Sequence, residues 1–205
     1  MRKTIILLAL LVTALNPLYA QKQTGSVVMN TKPLSENQEM RDLMRFNNLD
    51  YYQVNLTGEK IKGKNYSITV KEIWKGKIKS TDVIFNSATR DSWAGPLNSD
   101  VLPFRIMAAK SEKEKIKLSL FFDRFGINKE YKSTASDNYS LRDFGTQLPI
   151  EPNKPFYAFA YILPTEHKDG SMSWCEVDSS GKDIEKWGQE FGIEHYLLIE
   201  MNFFE

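Results

Sequence analysis

Apolar residues recur along this chain with different spacings, and each spacing predicts an element. From Tyr52 onward, apolar and polar residues alternate in several short stretches, which is the pattern of strands with one buried face. Phe156–Leu163 is apolar throughout and predicts a central strand covered on both faces. His195–Phe203 alternates again and is expected to form a long final strand. Lys75–Gly76 lies between two alternating stretches and predicts the turn of a hairpin.

Helical spacing is confined to short stretches. Apolar residues at i, i+3 and i+4 from Met40 predict an amphipathic helix that ends near position 47. Ser35 and Gln38 stand at capping-box spacing and predict its start. A second helical pattern covers 182–191, although Gly188 disfavours a helix there.

Asn86–Pro103 and Gly126–Lys154 fit neither spacing. Unstructured connections longer than about 12–15 residues are uncommon in compact domains unless they are functional or disordered. We therefore expect long loops here. Together the patterns predict a single mainly-β domain (α+β in the wider sense) over residues 21–205. Its architecture is expected to be an antiparallel β-sandwich or barrel with two short helices.

The N-terminal segment 1–20 has the three-part pattern of a secretory signal peptide. Arg2 and Lys3 give a positive start, an apolar run covers 5–15, and Ala20 offers a small residue at the expected cleavage point. The run is shorter than the roughly 20 residues that a spanning helix needs. We therefore expect export to the periplasm, the cell surface or the medium, with no membrane span in the mature chain.

Cysteine content and charge narrow the class of protein. Cys175 is the single cysteine of the sequence, so no intrachain disulfide can form, and Gln21 stands where a lipoprotein would carry a cysteine. These features favour a bacterial protein. Residues 21–205 carry 25 basic and 26 acidic side chains. This near-neutral balance gives no reason to expect nucleic-acid binding, and the mean hydropathy of −0.42 disfavours an outer-membrane barrel.

Candidate chemistry is sparse. His167, Cys175 and His195 do not show the short paired spacings of zinc sites, so no metal site and no cofactor are expected. His195 is expected to be a packed or hydrogen-bonded strand residue. A glycan hydrolase would need two carboxylates at a set separation. Acidic residues near the ends of predicted strands could supply them: Glu166, Asp169, Glu176, Asp178 and Glu194.

The loop Asn86–Pro103 contains the most suggestive binding residues. Trp93 lies outside any strand pattern, with Arg90 and Asp91 close to it. An exposed tryptophan beside charged groups suits stacking on a sugar ring or contact with a partner surface. The competing interpretation, which we favour for Trp93 itself, is that its side chain folds back and anchors the loop. We take Arg90, Asp91 and Trp93 as the candidate ligand-binding residues.

Lysines are concentrated in segment 60–79, where Lys75, Lys77 and Lys79 alternate with other residues. A strand would place all three on one face. Such a strip could bind an acidic glycan, a nucleic acid or a phosphorylated headgroup. The competing interpretation, which we favour, is an edge strand whose lysines discourage aggregation.

The Ala20–Gln21 junction, the chain length and the short lysine-rich strands resemble small exported domains of unknown function from gut Gram-negative bacteria. Ile73–Gly76 is also similar to a strand-turn-strand of netrin-like barrels, but the paired cysteines of that group are missing here. Neither resemblance supplies a functional residue. The sequence thus favours an exported, non-catalytic binding module for a glycan or an envelope protein, with a carboxylate-dependent glycan hydrolase as the alternative.

Overall fold

The computed structural model describes residues 27–33, 35–89, 94–111, 114–174 and 183–205. Two five-stranded antiparallel sheets pack face to face. We call the sheet with the strand order β1-β2-β5-β6-β7 the front sheet and the sheet with the order β4-β3-β12-β9-β8 the back sheet. The predicted β-sandwich is confirmed, and the barrel alternative is not, because the sheets do not close.

The front sheet is built from β1 (Val28–Pro33), β2 (Leu49–Thr57), β5 (Val101–Ser111), β6 (Lys115–Phe121) and β7 (Gly126–Lys132). The back sheet is built from β3 (Asn65–Trp74), β4 (Lys77–Asn86), β8 (Ser140–Asp143), β9 (Phe156–Ile162) and β12 (His195–Phe204). The short strands β10 (Thr165–Glu166) and β11 (Met172–Ser173) form a separate hairpin. Helix α1 spans Gln38–Phe46 and α2 spans Trp187–Glu190, with 3-10 turns at Glu59–Ile61 and Ile184–Lys186.

Strand β12 organises the back sheet because it pairs with β3 along one edge and with β9 along the other. Leu197 and Ile199 face the front sheet, while Tyr196 and Leu198 point the opposite way, and all four are buried. The expected long final strand is confirmed. Strand β9 is likewise confirmed as an interior strand between β12 and β8.

The outer face of the back sheet is covered by the segment that contains α2. The Tyr196 hydroxyl lies 3.2 Å from the carbonyl oxygen of Ile184 and 2.9 Å from that of Glu185. Lys71 forms ion pairs with Glu185 and Glu200 at 2.7 and 2.9 Å. These contacts hold the covering segment on the sheet.

The predicted turn at Lys75–Gly76 is confirmed, with φ of 49° and 71°. This turn also corrects the lysine strip, because Lys75 belongs to the turn and does not share a strand face with Lys77 and Lys79. Both of the latter lie on β4, an edge strand of the back sheet. That position agrees with the favoured interpretation of edge protection.

The expectation of a long loop over Gly126–Lys154 is wrong, since β7 and β8 lie within it. The alternation was obscured by a charged residue on the inward side. Lys129 shares a face with Ile127 and Tyr131 and forms an ion pair with Asp82 of the facing edge strand at 3.1 Å. Lys129 interrupts the apolar pattern in the sequence, although its side chain lies between the two sheets, where Asp82 neutralises its charge.

Helix α1 is confirmed, but its predicted cap is wrong. Asn37 caps the helix, because its side chain accepts a hydrogen bond from the Met40 N–H at 3.0 Å. The helix buries Met44, whereas Met40 and Leu43 remain 45% and 56% exposed. Its apolar face is therefore covered in part only.

Gly188 explains how α2 can pack on the hairpin turn. A Cβ at this position would lie 2.4 Å from the Gly76 nitrogen and 2.7 Å from its Cα. The Gln189 amide donates to the Gly76 carbonyl at 2.9 Å, which fixes this approach. The glycine that disfavours a helix in the sequence is thus needed for contact between α2 and the β3–β4 turn.

We predict that Gly188→Ala destabilises the protein by roughly 2–4 kcal/mol, because the added methyl group meets backbone atoms that cannot move without opening the contact. Gly192→Ala is the matched control, since φ is +70° there but no atom lies within 4 Å of the added Cβ. Its cost should be about 1 kcal/mol. Urea unfolding followed by tryptophan fluorescence measures both. Equal costs for the two variants would contradict the steric explanation.

Candidate functional site

The described part of the predicted loop Asn86–Pro103 lies at one end of the sandwich. Strand β4 ends at Asn86, residues 94–100 are irregular, and β5 begins at Val101, so Pro103 belongs to a strand. Arg90, Asp91 and Trp93 lie outside the described residues, and their binding role stays a prediction. The remaining residues of the loop show what this end of the molecule offers.

Backbone hydrogen bonds hold residues 94–100 in place. The Leu97 N–H donates to the Lys64 carbonyl at 2.8 Å, and the Leu97 carbonyl accepts from the Gly63 N–H at 2.7 Å. The Gly58 N–H donates to the Asp100 carbonyl at 2.8 Å. This part of the loop therefore forms a fixed wall beside the sheets.

A cavity of about 390 Å³ lies between this wall and the sandwich interior. This volume is within the range of small-molecule pockets, roughly 300–1,000 Å³. Apolar side chains form much of the lining: Tyr66, Pro96, Leu97, Val101, Leu102, Phe122 and Phe125. The cavity is thus suited to a ligand with at least one apolar face.

An aromatic stack lies beneath the cavity. The rings of Phe122 and Phe125 are nearly parallel, with centroids 4.5 Å apart and planes 8° apart. Phe85 stacks on Phe125 at 4.9 Å, and Phe104 stacks on Phe122 at 5.4 Å. Close packing of these rings leaves them little freedom to move. The floor is therefore preformed.

Polar groups surround this floor. Asp123 and Arg124 are exposed beside the cavity, and Asn98 is exposed on the loop wall. Tyr66 lines the cavity. Burial raises the pKa of Tyr66 to about 12, so this hydroxyl is a neutral donor at ordinary pH. We call this region the aromatic end.

The opposite end of the sandwich interior is polar. His195 is fully buried there, and its Nδ1 lies 2.7 Å from the Tyr139 hydroxyl. Its Nε2 has no hydrogen-bond partner among the described residues and lies 3.8 Å from the Glu72 carboxylate. Trp74 packs on the imidazole at 4.2 Å between ring centroids. His195 is thus a packed and hydrogen-bonded strand residue, as its sequence position predicts.

Burial controls the charge of His195. It lowers the pKa of the imidazole to about 4, against the opposing influence of Glu72, while Lys79 lowers it further. The side chain is therefore neutral above this pH. Because it is also inaccessible to solvent, it is positioned as a structural group and not as a general base that meets substrate.

Asp50 has the opposite shift. Burial raises the pKa of its carboxyl group to about 6, although the Leu141 N–H and the nearby Arg142 favour the charged form. Oδ2 accepts the hydrogen bond from Leu141 at 2.8 Å, which links β2 of the front sheet to β8 of the back sheet. Asp50 and His195 both lie at this polar end, and burial shifts their pKa values in opposite directions.

Of the carboxylates considered for hydrolysis, the structure describes Glu166, Asp169 and Glu194. Glu166 and Asp169 belong to the β10–β11 hairpin and Glu194 directly precedes β12, while Glu176 and Asp178 lie outside the described residues. His167 is in the same hairpin, 2.9 Å from the Ser173 hydroxyl, and Cys175 lies outside the described residues. Within the described ranges, no group of three or more His, Cys, Asp and Glu side chains could hold a metal ion.

No protein-family model, curated protein or solved structure matches this chain. Among the described helices, none is long and apolar enough to cross a membrane. The geometry at the aromatic end is therefore the main guide to function.

The loop beside the cavity was predicted from the sequence, but the aromatic floor beneath it was not. Phe122 and Phe125 were available as a signal, since they follow the alternating stretch that becomes β6. Their proximity to Tyr66 and Phe85 depends on how the two sheets pack, which the spacing of residues in the sequence does not give.

We predict that Asp50→Asn stabilises the protein at pH 7.5. A group with a raised pKa contributes stability that is complete below its unfolded value of 3.8 and is lost as the pH rises through about 6. Asparagine removes the buried charge and keeps an oxygen that can accept from Leu141. The expected gain is on the order of 2 kcal/mol at pH 7.5 and should vanish below pH ~4.

The lowered pKa of the His195 imidazole also affects this pH dependence. It contributes stability above pH 6.5 that is lost as the pH falls towards about 4. In the wild type this loss opposes the stability that is gained as Asp50 becomes protonated. As the pH falls from 6.5 to about 4, Asp50→Asn should therefore lose stability more steeply than the wild type. Urea unfolding across pH 4–7.5 measures this. Asp137→Asn, whose side chain is 80% exposed, is the control; an Asp50→Asn profile parallel to the wild type contradicts the assignment.

Proposed function

We propose that this chain is an exported, non-catalytic binding module, and that the cavity at the aromatic end is its ligand site. The observation that carries the proposal is a preformed aromatic floor beneath a cavity with polar groups at its margin. Such a combination of apolar lining and a few orienting polar groups is typical of small-molecule sites. Its place beside the described part of the predicted loop Asn86–Pro103 adds support.

The lining indicates the shape and chemistry of the ligand. The apolar floor favours a flat ring or the less polar face of a sugar. The Tyr66 hydroxyl can donate one hydrogen bond, and Asn98 and Arg124 can reach polar substituents from the margin. Among the lining residues, Asp123 is the one carboxylate, which does not supply the pair that glycan hydrolysis requires. We therefore favour binding over hydrolysis.

A panel of p-nitrophenyl glycosides tests this function, because each combines an aromatic ring with a hydroxylated sugar and releases a coloured phenolate when hydrolysed. We expect at least one of them to shift the amide resonances of Leu97 and Val101 in heteronuclear NMR titrations. Tyr66→Phe should weaken that binding about 3- to 10-fold, the effect of one neutral hydrogen bond.

Asn98→Trp should abolish binding by filling the mouth of the cavity. Val83→Trp is the matched control, since Val83 is 58% exposed on β4 and does not line the cavity. Thermal unfolding checks that both variants fold. Release of p-nitrophenolate by the wild type would overturn the non-catalytic assignment in favour of the hydrolase. Absence of shifts for the whole panel would overturn the ligand class.

The sequence-based prediction for Trp93 is tested with the same glycosides. If Trp93 contacts the ligand, Trp93→Ala should weaken binding at least as much as Tyr66→Phe, because it removes a larger contact surface. Unchanged affinity would leave Trp93 as a loop anchor.

A further inference from the structure

Phe46 is the most exposed large apolar side chain of the described residues, at 86%. It is the last residue of α1, and it lies at the edge of a cleft of about 1270 Å³. Helix packing does not require a phenylalanine here, because Met44 makes the buried contact of this helix. An aromatic ring left in water forgoes the favourable free energy of burying its apolar surface. The ring is therefore available to a ligand in the cleft.

The cleft lies at the polar end of the sandwich, opposite the aromatic end. The α1–β2 connection forms one wall through Asn48 and Leu49, and the front sheet contributes Ala109 and Lys117. The β7–β8 connection contributes Asp137. These elements are distant in sequence, so the cleft is a product of the fold. Because no cavity-lining residue is shared with the aromatic end, this inference is independent of the proposed function.

Charges in the cleft are balanced. Among the described residues that line it, three are lysines and three carry carboxylates: Lys110, Lys115, Lys117, Glu114, Glu130 and Asp137. Lys110 pairs with Asp137 at 2.8 Å and also donates to the Ala135 carbonyl at 2.6 Å. Lys115 pairs with Glu130 at 2.7 Å. These contacts fix donors and acceptors next to one another without giving the cleft a net charge.

Two walls of the cleft are formed by chain reversals. Asn48, with φ of +47°, directly follows the C-cap of α1, a position where asparagine commonly adopts the left-handed region. Glu114, with φ of +52°, lies in the connection between β5 and β6. These two turns shape the cleft.

We propose that this cleft binds a neutral, polyhydroxylated ligand, namely a glycan chain, with Phe46 stacked against one sugar ring. A sugar ring presents an apolar face of C–H groups to an aromatic ring and hydroxyl groups around its edge. Each hydroxyl both donates and accepts hydrogen bonds, so alternating lysine and carboxylate groups can satisfy it. The cleft, at about 1270 Å³ against about 390 Å³ for the cavity at the aromatic end, has room for more than the single ring expected there.

The lining disfavours other macromolecules. A nucleic acid or an acidic polysaccharide would need an excess of positive charge, which the paired carboxylates remove. The centre of a protein interface is normally depleted of charge and rich in aromatic side chains. Here the described lining residues include six charged side chains and one aromatic side chain. A glycan is therefore the better match.

Affinity electrophoresis of the full chain tests the proposal in gels that contain laminarin, xylan or dextran as neutral probes and alginate as an acidic one. We expect at least one neutral polysaccharide to retard the wild type. Phe46→Ala should weaken this retardation at least 10-fold. Leu43→Ala is the matched control, since Leu43 is 56% exposed on the same helix but does not line the cleft, and it should behave as the wild type.

Three outcomes would overturn the proposal. No retardation by any neutral polysaccharide excludes the glycan class. Equal loss in Phe46→Ala and Leu43→Ala shows general adhesion of the helix and not recognition in the cleft. Retardation by alginate alone, abolished by 0.2 M salt, shows binding by charge. Asn98→Trp keeps the two sites distinguishable, because it should abolish glycoside binding at the aromatic end and leave polysaccharide retardation unchanged.

Discussion

The double pairing of β12 is the constraint on which the rest of the sandwich depends. This strand joins the β3–β4 hairpin to β8 and β9, so the back sheet exists as one unit only when both of its edges are paired. Its inward side chains form the interior together with the front sheet. Its outward Tyr196 holds the segment that contains α2. This one strand thus contributes to the core on the inner face of the sheet and holds the α2 segment on the outer face.

The interior along β12 changes from polar to aromatic. His195 begins the strand among Tyr139 and Glu72, whereas Phe203, near its end, packs on Phe156. Burial acts differently at the two ends. At the polar end it costs free energy and shifts pKa values, and hydrogen bonds between the sheets offset part of this cost. At the aromatic end it stabilises a ring stack and leaves a preformed cavity above it.

The two proposed binding sites follow from this chemical difference between the two ends of the sandwich. A cavity with an aromatic floor suits one ring, and an open cleft with balanced charges suits an extended hydroxylated chain. Neither site uses His195 or Asp50, whose burial makes them structural groups. The sandwich therefore provides two chemically different surfaces at opposite ends.

Much of the fold could be predicted because its local patterns are strong. Phe156–Ile162 is a continuous apolar run, and Lys75–Gly76 is a turn that local backbone preferences favour. β7 was missed because Lys129 faces inward and is neutralised by Asp82 from another sheet. The exposure of the apolar face of α1 could not be predicted either. Residue spacing shows that the helix has an apolar face but not whether another element covers it.

The sequence by itself determined the mainly-β class, the helix near Met40, the β3–β4 turn and the position of one candidate loop. These depend on residue spacing and on backbone preferences, which act over a few neighbouring positions. The tertiary structure decided which side chains form the sites. Leu97 meets Lys64, Tyr139 meets His195, and Phe46 and Lys115 line one cleft only after the sheets are paired and packed. Contacts between residues this far apart in the chain depend on strand register and sheet packing, and local spacing carries no information about either.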